Sequence, residues 1–500
     1  MDILGQAASN VFDLQVLLVV AASACYGILV GAIPGLTATM AVALIVPITF
    51  YLNDVQAVAA IVTTVTCSIF AGDIPTTLVR IPGTPASAAY AGDAYALTKQ
   101  GKHTTALGIC LIFSVIGGLV GTVVLALFAP LLAQLATQFT SFEYFWLYVL
   151  GLTCAVVVSS GSRWKGAFAL FVGLLLATIG LSADFSVPRL TFGFDQLVTG
   201  INFIPAMIGL FGISEVLRIA LTLRSDTGST KLPTPKQTSI LGEVIPLAWK
   251  RKFHLVRSSG IGATIGMLPG AGADIAAWIS YAVSKRLSKN PQDYGHGSQD
   301  GLGDATGANN AALGGAWIPA LVFGIPGDSV TAIAIGVLMM KNITPGPGIF
   351  DAAENPGQAA LVSSIYIVFI LANLLLIPFG IAAIRIGGFL IRIPRKILLP
   401  IIMLFCTLGS FSMSGSYFDV WVMLVMGLLG FVLEKYSIPL GPVVLGLIMG
   451  GQLEHRFLQS ISTSPAISSF FASPISIVLG LACVLLWAAP LIGRFRSKPA

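Results

Sequence analysis

Three carboxylates in this chain stand where charge is expensive. Asp73, Asp274 and Asp328 each adjoin an apolar stretch and a string rich in Pro or Gly. An ionisable group inside an apolar segment is functional by default, and beside freed backbone carbonyls it can ligate Na+ or carry a proton. Four Pro-Gly pairs lie in the same neighbourhoods: Pro34-Gly35, Pro82-Gly83, Pro269-Gly270 and Pro326-Gly327. Pro removes a backbone donor and Gly lowers the cost of unwinding, so each pair marks a helix break. A helix restarting after such a break presents free N–H groups and about half a positive charge, which suits an anion. Thr37, Thr39, Thr84, Ser87, Ser329 and Thr331 follow the breaks and add hydroxyl donors. Arg80, just ahead of Pro82, is placed either to clamp a substrate carboxylate or to pair with Asp73 or Asp93. Asp93 itself reads as nearer the membrane edge and solvated. Asn309 and Asn310 offer their amides to a substrate or to locally broken backbone. Taken singly, a Pro-Gly string is packing or a kink; the recurrence is what points to a binding site.

The elements that would position these groups are written in the composition. The chain has 500 residues, of which 56% are apolar and only 10% charged, with 27 basic and 21 acidic side chains. A globular chain carries about 25% charge. So few charges cannot clothe a soluble surface, whereas a lipid-facing surface needs none. The expected fold is an all-α polytopic membrane protein. Apolar runs fall near residues 14–52, 55–71, 104–137, 142–159, 165–182 and 198–222. They resume near 259–284, 306–340, 359–384, 397–413, 418–433, 438–452 and 473–493. At roughly 20 residues per crossing, these make about a dozen membrane elements. The runs lack the period-2 alternation of a membrane barrel.

One polar interval, 223–258, divides the chain into a first transmembrane repeat, 1–222, and a second, 259–500. It carries Arg224, Lys231, Lys236, Lys250, Arg251, Lys252 and Arg257, and Pro233 and Pro235 mark irregular backbone. Such a basic linker belongs on the cytoplasmic side, and this bias accounts for the net charge of +6 without nucleic acid. The first basic residue is Arg80, so no signal-peptide n-region is visible, and Asp2 and Asp13 place the N-terminus outside.

The two parts repeat each other. Gly27–Ala38 (GILVGAIPGLTA) and Gly262–Ala273 (GATIGMLPGAGA) share the pattern GxxxGxxPG at an offset of 235 residues, Gly27 to Gly262. Asp73-Ile74-Pro75 with Ile81-Pro82-Gly83 matches Trp317-Ile318-Pro319 with Ile325-Pro326-Gly327 at an offset of 244, Pro75 to Pro319. The nine extra residues fit the polar stretch around Lys289–Tyr294. Asp13 and Asp54 flank the first Pro-Gly run, while Arg257, Lys285 and Arg286 flank the second. If each run is a re-entrant hairpin, the first enters from outside and the second from the cytoplasm. Counting crossings then puts Lys99 and Lys102, Arg163 and Lys165, the linker, Arg392 with Arg395 and Lys396, and Arg494 with Arg496 and Lys498 inside. The halves would be inverted repeats, as in many secondary transporters.

Other chemistries are less well supported. The six cysteines are scattered and form no CxxC pair, and the four histidines have no metal-ligand spacing. No GxxxxGK[ST] string is present, so the chain is not itself an ATP-driven motor. Gly301-Leu302-Gly303-Asp304 has the GxGD form of an intramembrane aspartyl protease. It reads as the end of a polar loop, and no Tyr-Asp partner stands in a preceding apolar run.

Gly31-Ala32-Ile33-Pro34-Gly35-Leu36, Ile81-Pro82-Gly83-Thr84-Pro85, Ala308-Asn309-Asn310-Ala311-Ala312, Gly324-Ile325-Pro326-Gly327 and Thr344-Pro345-Gly346-Pro347 together resemble the large membrane subunit of the tripartite tricarboxylate transporter family, the TctA type. The resemblance spans most of the chain. It implies cation-coupled uptake of an organic carboxylate across the bacterial inner membrane, with Na+ or H+ as coupling ion and no other cofactor. It also implies two partners, a periplasmic solute-binding protein and a small membrane subunit. The alternatives from the sequence are a stand-alone carboxylate symporter or exporter, and the protease just described.

Overall fold

The computed structural model describes residues 3–158, 162–182, 187–222, 240–390 and 395–496. In chain order the helices of the first part are α1 (Ile3–Val11), α2 (Leu14–Gly31), α3 (Ala38–Thr49), α4 (Asp54–Ala71), α5 (Asp73–Val79), α6 (Ala91–Lys99), α7 (His103–Ala136), α8 (Ser141–Val158) and α9 (Arg163–Ala177). A two-stranded antiparallel pair follows, β1 (Gly180–Leu181) with β2 (Pro188–Arg189). Next come α10 (Phe203–Met207), a π-helical stretch Ile208–Ile213, and α11 (Ser214–Thr222). The second part has α12 (Ile240–Lys250), α13 (Lys252–Gly266), α14 (Gly272–Leu287), α15 (Gln299–Phe323), α16 (Ser329–Met340), α17 (Pro356–Leu390), α18 (Arg395–Ser414), α19 (Tyr417–Lys435), α20 (Leu440–Thr463) and α21 (Pro474–Arg496).

The chain is thus an all-α membrane protein. Among the described residues, six helical spans are long and apolar enough to cross a bilayer; α3 and α16 are among the shorter apolar helices. Residues 240–258 of the basic interval are helical, in α12 and the start of α13; the expectations for Pro233, Pro235, Arg392 and Lys498 fall outside the described residues. Two other expectations are corrected. Asp304 lies inside α15, because Ser298 caps that helix by accepting the Gly301 N–H, so the helix starts earlier than its polar residues suggest. Asp93 is fully buried, held by a loop of the other half.

Local sequence explains the caps. Asn53 and Gln56 start α4 with a reciprocal box, each side chain accepting the other's backbone N–H at 2.8 and 3.1 Å. Packing is set by small residues. A Cβ at Gly27 or Gly31 would run into the α4 backbone at Thr64 and Ser68. At the same offsets, a Cβ at Gly262 or Gly266 would run into the α15 backbone at Ala308 and Ala312. The two GxxxG strings therefore do the same work, bringing α2 onto α4 and α13 onto α15 by van der Waals approach. α15 also lies against α7 through Gly117, Gly121, Gly307 and Gly314, and α17 lies against both α4 and α7.

Candidate functional site

Each half contains two interruptions, built alike. The first follows α2 or α13, where Gly35 (φ +95°) and Gly270 (φ +77°) take left-handed turns before α3 and α14 restart. The second follows α5 or α15. Arg80 (φ 58°) ends α5 in the left-handed region, and Gly324 (φ 68°), 244 residues on, ends α15 in the same way. Ile81 and Ile325 each turn back to donate to Pro75 O at 3.4 Å and Pro319 O at 3.2 Å. The chain then passes its preceding helix so closely that a Cβ at Gly83 would strike the Gly72 backbone, and one at Gly327 the Ala316 backbone.

Restart is capped identically in both halves. Thr84 Oγ1 accepts the Ser87 N–H and Ser87 Oγ accepts the Thr84 N–H, both at 3.2 Å. Asp328 Oδ1 accepts the Thr331 N–H at 2.8 Å and Thr331 Oγ1 accepts the Asp328 N–H at 2.9 Å. Ser87 and Thr331 are therefore caps, and their hydroxyls point back into the chain.

The interruptions of both halves meet at one cavity of about 290 Å³. Thr37, Thr39, Thr84, Gly270, Asp274, Asn309, Asp328 and Ser329 line it. Asp274 reaches across from α14 to accept the Ala86 N–H at 3.0 Å, and Trp278 Nε1 donates to Pro85 O at 3.2 Å, so the second half grips the restart of the first. Asn309 is buried in the wall, and its side chain makes no hydrogen bond among the described residues. None of the described lining residues is Lys, Arg or His.

The other expected site residues do not line the cavity. Pro34, Gly35, Pro82, Gly83, Pro269, Pro326 and Gly327 shape the breaks behind it. Asn310 faces away and both its amide atoms are buried without a partner. Asp73 is buried and accepts the Tyr90 hydroxyl at 2.6 Å, away from the lining. Arg80 is exposed and forms an ion pair with neither Asp73 nor Asp93. Asp93 Oδ1 instead accepts the N–H groups of Gly295, Gly297 and Ser298 at 2.7–2.8 Å, and its Oδ2 accepts the Tyr281 hydroxyl at 2.6 Å. Asp304 is buried, and Arg257 and His254 hold its Oδ2. That environment is an ion-pair cluster, unlike the proton-sharing carboxylate pair of an aspartyl protease.

Sequence reasoning missed one wall. Ala155 of α8 and Pro439, Gly441, Pro442 and Leu445 around the start of α20 complete the cavity. The Pro439-Leu440-Gly441-Pro442 string was the available signal, a Pro- and Gly-rich cluster outside the four matched breaks. Trp278 was hidden for another reason, since an aromatic on an amphipathic helix reads as packing.

A bundle of apolar helices whose paired interruptions open onto one cavity, its largely apolar wall set with hydroxyls, an amide and two carboxylates, defines a multi-pass membrane protein of transporter type. The chain belongs to the tripartite tricarboxylate transporter TctA family, which it matches over residues 17–445. It is 32% identical over 483 residues to the "uncharacterized 52.8 kDa protein in TAR-I ttuC' 3'region" of Agrobacterium vitis, covering 94% of this chain and 93% of that protein. It is 35% identical over 241 residues to the "uncharacterized protein in TAR-II ttuC' 3'region" of the same organism, covering 47% of this chain and 98% of that one. No solved structure matches.

Proposed function

We propose that the chain is the cargo-carrying membrane subunit of a cation-coupled system that takes up an organic carboxylate. A periplasmic solute-binding protein delivers the cargo and a small membrane subunit completes the assembly, as the tripartite character of the family implies. The two halves are inverted repeats in the bacterial inner membrane, with the N-terminus periplasmic and the C-terminus cytoplasmic. The matched GxxxG contacts and the matched restart caps at offsets of 235 and 244 support the repeat. The opposite charge flanking the two hairpins supports the inversion.

The observation that carries this reading is the cavity where all the interruptions converge, lined by hydroxyls, an amide, helix starts and two carboxylates. Helix N-termini and hydroxyls are donors for a carboxylate; the aspartates need a cation. Of the three expected coupling carboxylates, Asp73 is engaged by Tyr90 and Asp274 by Ala86, while Asp328 caps α16 through Oδ1. Asp328 lies on the cavity beside α14, where a Cβ on Gly272 would come within 3.1 Å of its own Cβ. With Asn309 it forms the cation position, for Na+ or for a proton in its place.

Uptake of a carboxylate panel into vesicles holding the complete transporter, with and without an Na+ gradient, tests the function. Asp328→Asn should raise the half-saturating Na+ concentration about tenfold, the size of a lost charged ligand, or flatten the pH dependence if H+ couples. Asp73→Asn should leave both unchanged. Normal coupling in Asp328→Asn would remove the assigned cation position.

A further inference from the structure

The cavity has two aspartates in its wall and, among its described lining residues, no cation. A cation stands instead at the far end of the α8–α20 wall. On α8, Tyr144, Tyr148, Gly151 and Ala155 follow at spacings of four, three and four, so they share one helix face. On α20, Leu445, Met449 and Arg456 share a face at spacings of four and seven. Ala155 and Leu445 line the cavity. Eleven residues away along each helix, about 16 Å, Tyr144 and Arg456 meet, with the guanidinium carbon 4.7 Å from the ring centre. The charge of Arg456 bears on the hydroxyls of both Tyr144 and Tyr148. Tyr148 in turn donates to Phe323 O at 3.3 Å, at the last residue of α15 before its break. Between this cation and the cavity the seam is shut by apolar groups. A Cβ on Gly151 would meet Ile325 Cγ2 at 3.0 Å, Met449 Cε at 3.4 Å and Pro269 Cβ at 3.6 Å.

Arg456 lacks a counter-ion although carboxylates stand close in sequence. Glu454 is held through both oxygens by Arg189, at 2.8 and 2.9 Å. Glu143, beside Tyr144, is buried and taken by Thr140, Ser473 and Ser476. Arg456 donates Nη1 to Gln459 Oε1 at 3.0 Å, forms no ion pair among the described residues, and keeps a buried Nε without a partner. A half-buried guanidinium from which both local carboxylates are withheld is costly to keep, and its planar edge can grip a carboxylate by two parallel N–H bonds.

We infer that Arg456 is the outer anion post of the transport path. It receives the cargo carboxylate at the mouth of the α8–α20 seam, before the cargo passes Ile325 and Met449 into the cavity. This rests on the proposed function and orientation: with the C-terminus cytoplasmic, α21 crosses inward and the end of α20 faces the periplasm. The Tyr144 ring steadies the guanidinium from one face and leaves its edge free. The place of the charge follows from the cavity. A cation inside would pair with Asp274 or Asp328, whereas one at the mouth draws the anion toward a wall that would otherwise repel it.

The test measures exchange in right-side-out and inside-out vesicles that hold the complete transporter. The probes are citrate, succinate and lactate, offered on the binding protein at the periplasmic face and free at the cytoplasmic face. Arg456→Gln should slow exchange at limiting probe about tenfold from the periplasmic face, the size of a lost charged hydrogen bond. Exchange from the cytoplasmic face, the Na+ dependence and docking of the empty binding protein should not change. Arg456→Lys keeps the charge without the paired N–H groups and should fall between. A merely structural arginine would slow both faces alike, and a docking contact would weaken binding of the empty binding protein. Either result, or an unchanged periplasmic rate, overturns the post and leaves carboxylate transport standing. If wild type exchanges none of the probes, the carboxylate reading fails and the post with it. Should Arg456→Gln not reach the membrane, Arg456→Lys decides: a periplasmic rate equal to wild type overturns the post.

Discussion

The two halves of this molecule agree in backbone and disagree in chemistry. Pro75 and Pro319, Gly83 and Gly327, Ser87 and Thr331 hold equivalent bonds or close approaches 244 residues apart. At the cavity wall the same bookkeeping of positions sets Thr39 against Asp274, Val65 against Asn309, Thr84 against Asp328 and Pro85 against Ser329. These pairs are more polar in the second half, while Thr37 against Gly272 runs the other way. Helix interruptions in hydrocarbon leave backbone groups that must be satisfied, and only a few arrangements do so. That constraint freezes the Pro, Gly and cap positions. Side chains facing a cavity carry no such burden, so one half is free to become the acidic wall while the other stays small and neutral. Shared geometry with divided labour is what the comparison teaches.

The largest expected effect tests the shared geometry. Gly83→Ala and Gly327→Ala each drive a methyl into backbone, at Gly72 and at Ala316. Backbone cannot yield as a flexible side chain can, so each change should cost about 1–3 kcal/mol in stability and abolish uptake. Both variants should insert in the membrane. Uptake that survives in one and not the other would show that the two breaks are not equivalent.

Next in size are the clasps between the halves, which lie at different places and have opposite sign. Asp93 of α6 holds three N–H groups and a tyrosine hydroxyl of the second half. Lys341, after α16, donates to Phe50 O at 3.1 Å and Leu52 O at 2.5 Å in the first. Asp93→Ala takes a fully buried carboxylate from four donors, of which the Ser298 N–H is itself buried, and should lower stability by about 1–3 kcal/mol. Lys341→Met removes a half-buried ammonium whose acceptors water can reach, and should lower the unfolding temperature by less. Unfolding of detergent-solubilised protein followed by size-exclusion chromatography measures both. Equal losses would contradict the burial argument.

Much of this was legible in the sequence. Composition gave the membrane class, and the two Pro-Gly strings gave the offsets that the contacts of Gly27, Gly31, Gly262 and Gly266 follow. Eight of the expected site residues line the cavity, because residues after a break must face the space the break opens. What stayed hidden depended on long-range packing. Asp93 looked solvated because its partners are backbone N–H groups some 200 residues away, and backbone has no sequence signature. Asp73 looked like a cavity carboxylate because it stands near Pro75 and the Pro82-Gly83 break, yet the helical span runs on from Asp54 to Val79. The α8 and α20 wall lies outside the matched Pro-Gly strings, so comparing those strings could not find it.

That outer wall supplies the smallest and sharpest contrast. Gly35 and Gly270 sit at equivalent hairpin tips, both with positive φ. Alanine in that conformation costs about 1–2 kcal/mol at either site. Around Gly35 the nearest atom to an added Cβ is Glu215 Oε1 at 3.8 Å, which is ordinary contact, so Gly35→Ala should cost only the strain. At Gly270 the added Cβ falls on the Ala155 backbone of α8, so Gly270→Ala must also push the second hairpin off its wall. Uptake should therefore fall further in Gly270→Ala than in Gly35→Ala, at similar amounts of folded protein. A Gly270→Ala, Ala155→Gly double variant should recover part of the difference, since it removes the Ala155 methyl that also meets the new one. Matching losses in the two single variants would mean that α8 does not bear on the second hairpin during transport, and that the tips are as alike in surroundings as they are in backbone.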